Sequence, residues 1–233
     1  MVSRRTVLGG LAGAFAASTA PSYAQDFCSV LTPQTQSVFS PADAVAVLKV
    51  GNERFKSGET LNCNLLQQVR DTADHQSPIA AIVGCIDSRV PPELIFDQRI
   101  GDIFTARVAG NFANTDIIGS LEYATQVAGA KAIVVLGHTG CGAIKSAIDG
   151  VELGNITALL SNLAPAIGNV TFFGEKSSKN KDLVAKVTEA NVRLTVATIA
   201  ERSPVIQALI DAKAVTIVGA IHDIATGNVT WLT

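Results

Sequence analysis

The chain has 233 residues, of which 48% are hydrophobic and 16% charged, with a formal net charge of −2. That length supports one domain with a sizeable core, and that balance excludes a disordered chain. No lysine tract or basic-aromatic interleaving argues for nucleic acid, and there is no internal repeat or low-complexity tract.

In chain order, Ser3-Arg4-Arg5-Thr6-Val7-Leu8 sets an arginine pair before an apolar run from Val7 to Ala17. Ser22-Tyr23-Ala24 then offers small residues at the −3 and −1 positions of a cleavage site. The run is shorter than the roughly 20 residues a membrane span needs. Residues 1–24 are therefore expected to be an export signal of the twin-arginine type, a route that carries folded proteins, with an ordinary secretory signal as the alternative. The protein is then expected in the periplasm and off the membrane. Losing the segment removes two arginines and no acid, so acids outnumber bases by four. Outside the cytoplasm, thiols without a metal tend to pair. Cys28 and Cys63 either form a disulfide that staples the new N-terminus to the body or stay as separate buried thiols. Sequence does not set their distance.

Residues 25–39 read as a polar, extended arm. Ser40-Pro41-Ala42-Asp43 is a helix start, with Ser as cap and Pro at the first helical position, and apolar residues then recur at helical spacing toward Gly58. Leu65, Leu66 and Val69 suggest a second helix ending near Ala73. Residues 25–75 thus form an arm with helices, of a kind that commonly wraps a partner subunit, at the start of a single domain over 25–233. Ile79–Gly84 is a continuous apolar run, expected as a strand buried on both faces. A strand over 103–108, a helix over 116–128 and the strongest strand, 131–137, follow. Residues 183–202 predict a helix that breaks before Pro204, with a short helix after it. Residues 214–221 predict a last buried strand, and 229–232 an edge strand. Strands alternating with helices predict an α/β fold: a mainly parallel central sheet flanked by helices, with an N-terminal helical arm.

Two short segments carry chemistry. Cys85-Ile86-Asp87-Ser88-Arg89 begins where the first buried strand ends, and His138-Thr139-Gly140-Cys141 begins where the strongest one ends. In open parallel sheets that edge is where sites are built. The chain has only three histidines and four cysteines. Cys85, His138 and Cys141 offer two thiolates and an imidazole, with Cys141 expected about one turn into the following helix. That ligand set suits zinc with an open fourth position. Such a zinc carries no net charge and activates water less than a three-histidine site does, so a helper is needed. Asp87 can accept a hydrogen bond from that water, and Arg89 can hold Asp87 ionised in a bidentate pair. Asp87 has a second option, to swing onto the metal and close the site. Alone, an Asp-x-Arg pair reads as a surface salt bridge; beside a zinc ligand the functional reading is favoured.

These two segments resemble the β-class carbonic anhydrases. So do Gly51-Asn52-Glu53-Arg54-Phe55, Val90-Pro91-Pro92-Glu93, Arg107-Val108-Ala109-Gly110-Asn111, Ser120-Leu121-Glu122-Tyr123 and Val218-Gly219-Ala220-Ile221-His222-Asp223, so the likeness spans about residues 40–233. It implies reversible hydration of carbon dioxide to bicarbonate and a proton by zinc-bound hydroxide, one zinc per subunit, and a homodimer or higher even oligomer. It implies Cys85, His138 and Cys141 as ligands and Asp87 and Arg89 as the catalytic dyad. Gln76 matches a glutamine that hydrogen-bonds substrate in open-form members, Phe104 and Tyr123 match apolar-pocket positions, and Gly142 matches the glycine after the last ligand.

Departures from the pattern matter too. Members with a non-catalytic bicarbonate site carry Trp three residues before the first Cys. Ile82 stands there, so that site is not expected despite Arg107, and an open, water-bound zinc is. Ala109 implies a slightly wider pocket. His222, in place of a common Tyr, is expected to alter the interface but not the metal. On position alone, Phe104 and Tyr123 read as core aromatics, and His75 and His222 as surface or packing histidines. Rivals are a same-fold hydrolase of carbonyl sulfide or carbon disulfide, and a non-catalytic zinc-binding or redox protein. The latter leaves Asp87, Arg89 and Gln76 without a role. The His-x-Glu and Pro-Cys-x-x-Cys signature of a zinc deaminase is absent.

Overall fold

The computed structural model describes residues 28–232; the expected export signal lies outside them. The described chain forms a five-stranded sheet in the order β2-β1-β3-β4-β5, where β1 is Ala80–Gly84, β2 Ile103–Arg107, β3 Ala132–His138, β4 Thr216–His222 and β5 Val229–Leu232. The first four strands are parallel and β5 is antiparallel to β4. The expected strands are all present, within about two residues at their ends.

β1 and β3 are buried along their whole length, which is why they read as unbroken apolar runs. Alternate residues face opposite sides. Ile82, Val134 and Leu136 pack in one apolar cluster, and Val83, Ile133 and Val135 in the other. Each such side chain contributes about 1.5–3 kcal/mol by leaving water. The helices lie on both faces. α9 (Lys181–Arg202) joins the two clusters: Leu183, Val184 and Val187 pack in one, Val192 and Ile199 in the other. It can lie close because glycine stands beneath it. A Cβ on Gly137 would come within 2.6 Å of Val192, and one on Gly219 within 2.8 Å.

The N-terminal region is more structured than its composition suggests. The polar arm contains a one-turn helix, α1 (Pro33–Ser37), because Thr32 and Thr35 form a reciprocal capping box. α2 (Pro41–Ser57) starts at Ser40 as expected, with a capping box to Asp43. It belongs to the body: Asn52, 2% exposed, donates to the Ile95 and Gly227 carbonyls and accepts from the Val229 N–H. α3 (Leu65–Asp71) forms, but Leu65, Leu66 and Val69 point outward. Gln68 faces inward instead and accepts from the Ile100 N–H. Cys28 and Cys63 are joined, with Sγ atoms 2.07 Å and Cα atoms 5.4 Å apart.

Two stretches differ from the sequence expectation. The helix expected over 116–128 is α5 (Thr115–Glu122) running into a π-helical turn over Tyr123–Val127. Between Cys141 and residue 180, where pattern set no element beyond a helix after Cys141, there are α6 (Gly142–Ile148), α7 (Gly154–Ser161) and α8 (Ala164–Gly168). The four-residue α4 (Pro92–Ile95) and α10 (Pro204–Asp211) complete the described helices, none of which is long and apolar enough to cross a membrane.

Candidate metal centre

β1 and β3 are parallel neighbours in register from Ala80–Ala132 to Gly84–Leu136, so their carboxyl ends emerge together. Cys85 follows β1 directly. His138 is the last residue of β3, one step earlier than a position past the strand. Cys141 caps α6 with non-helical backbone rather than sitting a turn inside it, because Gly140 takes φ +68° and reverses the chain. The result brings Cys85 Sγ, a His138 ring nitrogen and Cys141 Sγ within 4.8 Å of one another, all in buried residues. Among the described residues it is the one such group of three or more potential ligands.

The donor set fits zinc. The sulfurs stand 4.0 Å apart. Two thiolates on a tetrahedral zinc, each at about 2.3 Å, stand about 3.8 Å apart. His138 Nδ1 lies 3.0 Å from the Thr139 carbonyl oxygen, an acceptor, so that nitrogen carries the proton. Nε2 is left with a lone pair, buried and without a hydrogen-bond partner. The two sulfurs lie within hydrogen-bonding reach of each other. Hydrogen bonding from Cys141 and from the Gly110 and Asp87 N–H groups pulls the Cys85 thiol well below its ordinary value, against the opposing effect of burial. Donation to Cys85 together with burial pushes the Cys141 thiol well above its own.

Asp87 stands at the mouth of this group. Arg89 grips it with Nε to Oδ1 at 2.9 Å and Nη2 to Oδ2 at 2.7 Å, and the Arg89 N–H adds a third bond at 3.0 Å. These hydrogen bonds hold its carboxyl well below the usual carboxylate range. Asp87 Oδ2 still lies only 3.9 Å from His138 Nε2. Ile86, between Cys85 and Asp87, is 60% exposed.

Supporting residues whose task motif reading missed hold this geometry. Arg107 donates from Nε to the Cys85 carbonyl at 2.8 Å and from Nη2 to the Asp87 carbonyl at 2.7 Å, fixing the turn that carries ligand and carboxylate. Asn191 of α9, 2% exposed, donates to the Gly110 carbonyl at 2.8 Å, and the Gly110 N–H points at Cys85 Sγ at 3.4 Å. Only a lone Asn at a buried helical position hinted at this in sequence. His222 lies beside the ligand group. It pairs with His138 across β3 and β4, is 3% exposed, and burial lowers its basicity. His75 is exposed, as expected.

The expected pocket residues divide. Gly142 follows Cys141 as the first residue of α6, and a Cβ there would meet nothing within 4 Å. Gln76, Phe104 and Tyr123 sit at the other end of the sheet. Phe104 pairs with Ala81 near the start of β1, four residues or about 13 Å along the strand from Cys85. Tyr123 packs edge-on against Phe104 with ring centroids 6.3 Å apart. It is no core aromatic: it opens the π-turn, is 53% exposed, and lines a cavity of about 710 Å³ together with Ile117 and Leu121. Gln76 is exposed in the loop before β1.

Comparison with known proteins agrees with this geometry. The family model described as carbonic anhydrase matches residues 80–229. A carbonic anhydrase 2 of Mycobacterium tuberculosis is 34% identical over 201 residues, covering 81% of this chain and 91% of that protein. The Coccomyxa β-carbonic anhydrase solved with acetazolamide superposes with a TM-score of 0.65 at 27% identity, over 72% of this chain and 77% of that one. Tetrameric β-carbonic anhydrases of Sordaria macrospora share the fold, with a TM-score of 0.61 at 24% identity over 82% of this chain and 94% of theirs. A buried Cys-His-Cys group at the carboxyl edge of a parallel sheet, in a chain matched over most of its length, makes this protein a member of the β-carbonic anhydrase family.

Proposed function

We propose that Cys85, His138 and Cys141 hold one zinc per subunit and that the chain uses it to interconvert carbon dioxide and bicarbonate. The observation that carries this is the Asp87–Arg89 pair. Arg89 occupies both Asp87 oxygens, so the carboxylate is held beside the ligand group and not in it, and a fourth position is left to solvent. Bound zinc supplies Lewis acidity, lowering the pKa of a coordinated water. The chain's residues do the rest. Asp87 stays ionised across ordinary pH and accepts a hydrogen bond from the attacking water. Arg89 and Arg107 keep that carboxylate and the Cys85 turn in place. The comparisons favour carbon dioxide over sulfur analogues and over a non-catalytic zinc or redox role.

Gln76, Phe104 and Tyr123 cannot reach the zinc of their own chain, so in our reading a second copy completes the site. β2 is an edge strand, and the cavity beneath it is open and apolar. A homodimer, or a higher even oligomer, brings one chain's amino-end residues to its partner's ligands. The disulfide and the N-terminal motif together support export to the periplasm. A stopped-flow carbon dioxide assay with zinc analysis tests the function. We expect zinc-dependent hydration in wild type and a large loss in Asp87→Ala with zinc retained. Activity in the metal-free protein, or full activity in Asp87→Ala, would overturn the reading.

A further inference from the structure

Gln36 lies in the one-turn helix α1, forty residues before Gln76 and far in sequence from every site residue. Its Nε2 donates to the Pro78 carbonyl at 2.6 Å and to the Ala128 carbonyl at 2.8 Å, so both amide N–H bonds are used. Pro78 is two residues after Gln76. Ala128 closes the π-helical turn, its N–H donating to the Tyr123 carbonyl at 3.0 Å. One side chain therefore ties together the segment that presents Gln76 and the turn that presents Tyr123. Turns of that type recur at functional positions. The fit is close, since a Cβ on Gly129 would come within 3.4 Å of the Gln36 amide. α1 is itself anchored. Its capping box fixes its start, Arg99 donates to the Ser29 carbonyl, and the Cys28–Cys63 bond holds the chain just upstream.

We propose that Gln36 is a positioning residue for catalysis: its two hydrogen bonds set the spacing of Gln76 and Tyr123 in the carbon dioxide pocket. This rests on the reading of those two residues as pocket residues. A glutamine that only staples the fold would alter stability without altering Tyr123 or the affinity for substrate.

The sequence supplies a clean reporter, because its two tyrosines are Tyr23 and Tyr123. In full-length protein carrying Tyr23→Phe and fluorotyrosine, a single fluorine-19 resonance reports Tyr123. Gln36→Met keeps the length of the side chain and removes both donors. We expect it to shift or broaden that resonance, to leave zinc content unchanged, and to lower kcat/KM on the order of tenfold, mainly through a higher KM. In a Tyr123→Ala background the same change should cost less than in wild type, since only its effect through Gln76 remains. An unmoved resonance, a loss matched by lost zinc, or a fully additive loss with Tyr123→Ala would overturn the proposal. Wild-type kcat/KM in both Tyr123→Ala and Gln76→Ala would sink the pocket reading instead, and the functional part of the proposal with it, whatever the resonance does. If Gln36→Met does not fold, Gln36→Asn, too short to span both carbonyls, gives the same readouts.

Discussion

The two ends of the parallel sheet are built in opposite ways. At the carboxyl end, two segments of five and four residues supply the ligand group and the Asp87–Arg89 pair, each starting where a buried strand stops. At the amino end, Gln36, Gln76, Phe104 and Tyr123 come from four separate parts of the chain and meet only through the fold. Chemistry that needs fixed ligand distances is made locally. The amino-end residues, pocket walls in our reading, are assembled from long-range packing and should tolerate more change.

That contrast predicts a graded set of effects. Removing a ligand at the carboxyl end, as in His138→Ala or Cys141→Ser, should empty the site and reduce hydration to background, measured by zinc analysis beside stopped-flow kinetics. Zinc retained at wild-type affinity would break the contrast at its strong end. Asp87→Ala should keep zinc and lose on the order of 10²–10⁴-fold in kcat/KM. Tyr123→Ala or Gln76→Ala, at the amino end, should keep zinc and lose only on the order of tenfold; a loss as large as that of Asp87→Ala would show that the two ends do not differ in kind.

Stability should follow the same lines. Reducing the Cys28–Cys63 bond opens a loop of sequence separation 35 and should cost up to about 3–4 kcal/mol in denaturant titration, with zinc content unchanged. Gly137→Ala should cost about 1–3 kcal/mol, because the new methyl meets Val192 and pushes α9 and Asn191 away from the site. The smallest effect concerns acid. Asp87 has a depressed folded pKa, so its contribution is complete above the unfolded value of about 3.9 and is lost as pH falls through the folded one. The stability gap between wild type and Asp87→Asn should therefore hold constant above about pH 5 and close below pH 4. A gap that grew in acid would contradict the assigned pairing.

Legibility in sequence followed the same division. β1 and β3 could be read because burial on both faces leaves unbroken apolar runs, and the ligand motifs because rare residue types sit at strand ends. α2 could be read from Ser40, Pro41 and Asp43. The π-turn could not, since Tyr123–Val127 continues a helical pattern and only tertiary contacts widen it. α7 and α8 carry no side-chain N-cap hydrogen bond that would announce them. The exposure of Tyr123 and the burial of His222 beside His138 depend on register between distant segments, which a linear pattern does not encode. Arg107 was visible but its task was not, because its partners are main-chain carbonyls.

Zinc-edge X-ray absorption on the purified protein tests the central claim most directly. We expect one zinc per subunit with two sulfurs at about 2.3 Å, one imidazole nitrogen at about 2.0 Å and one light-atom neighbour, the sulfur count dropping by one in Cys141→Ser if any metal stays. A first shell of light atoms only, or zinc far below one per subunit in fully active protein, would contradict it.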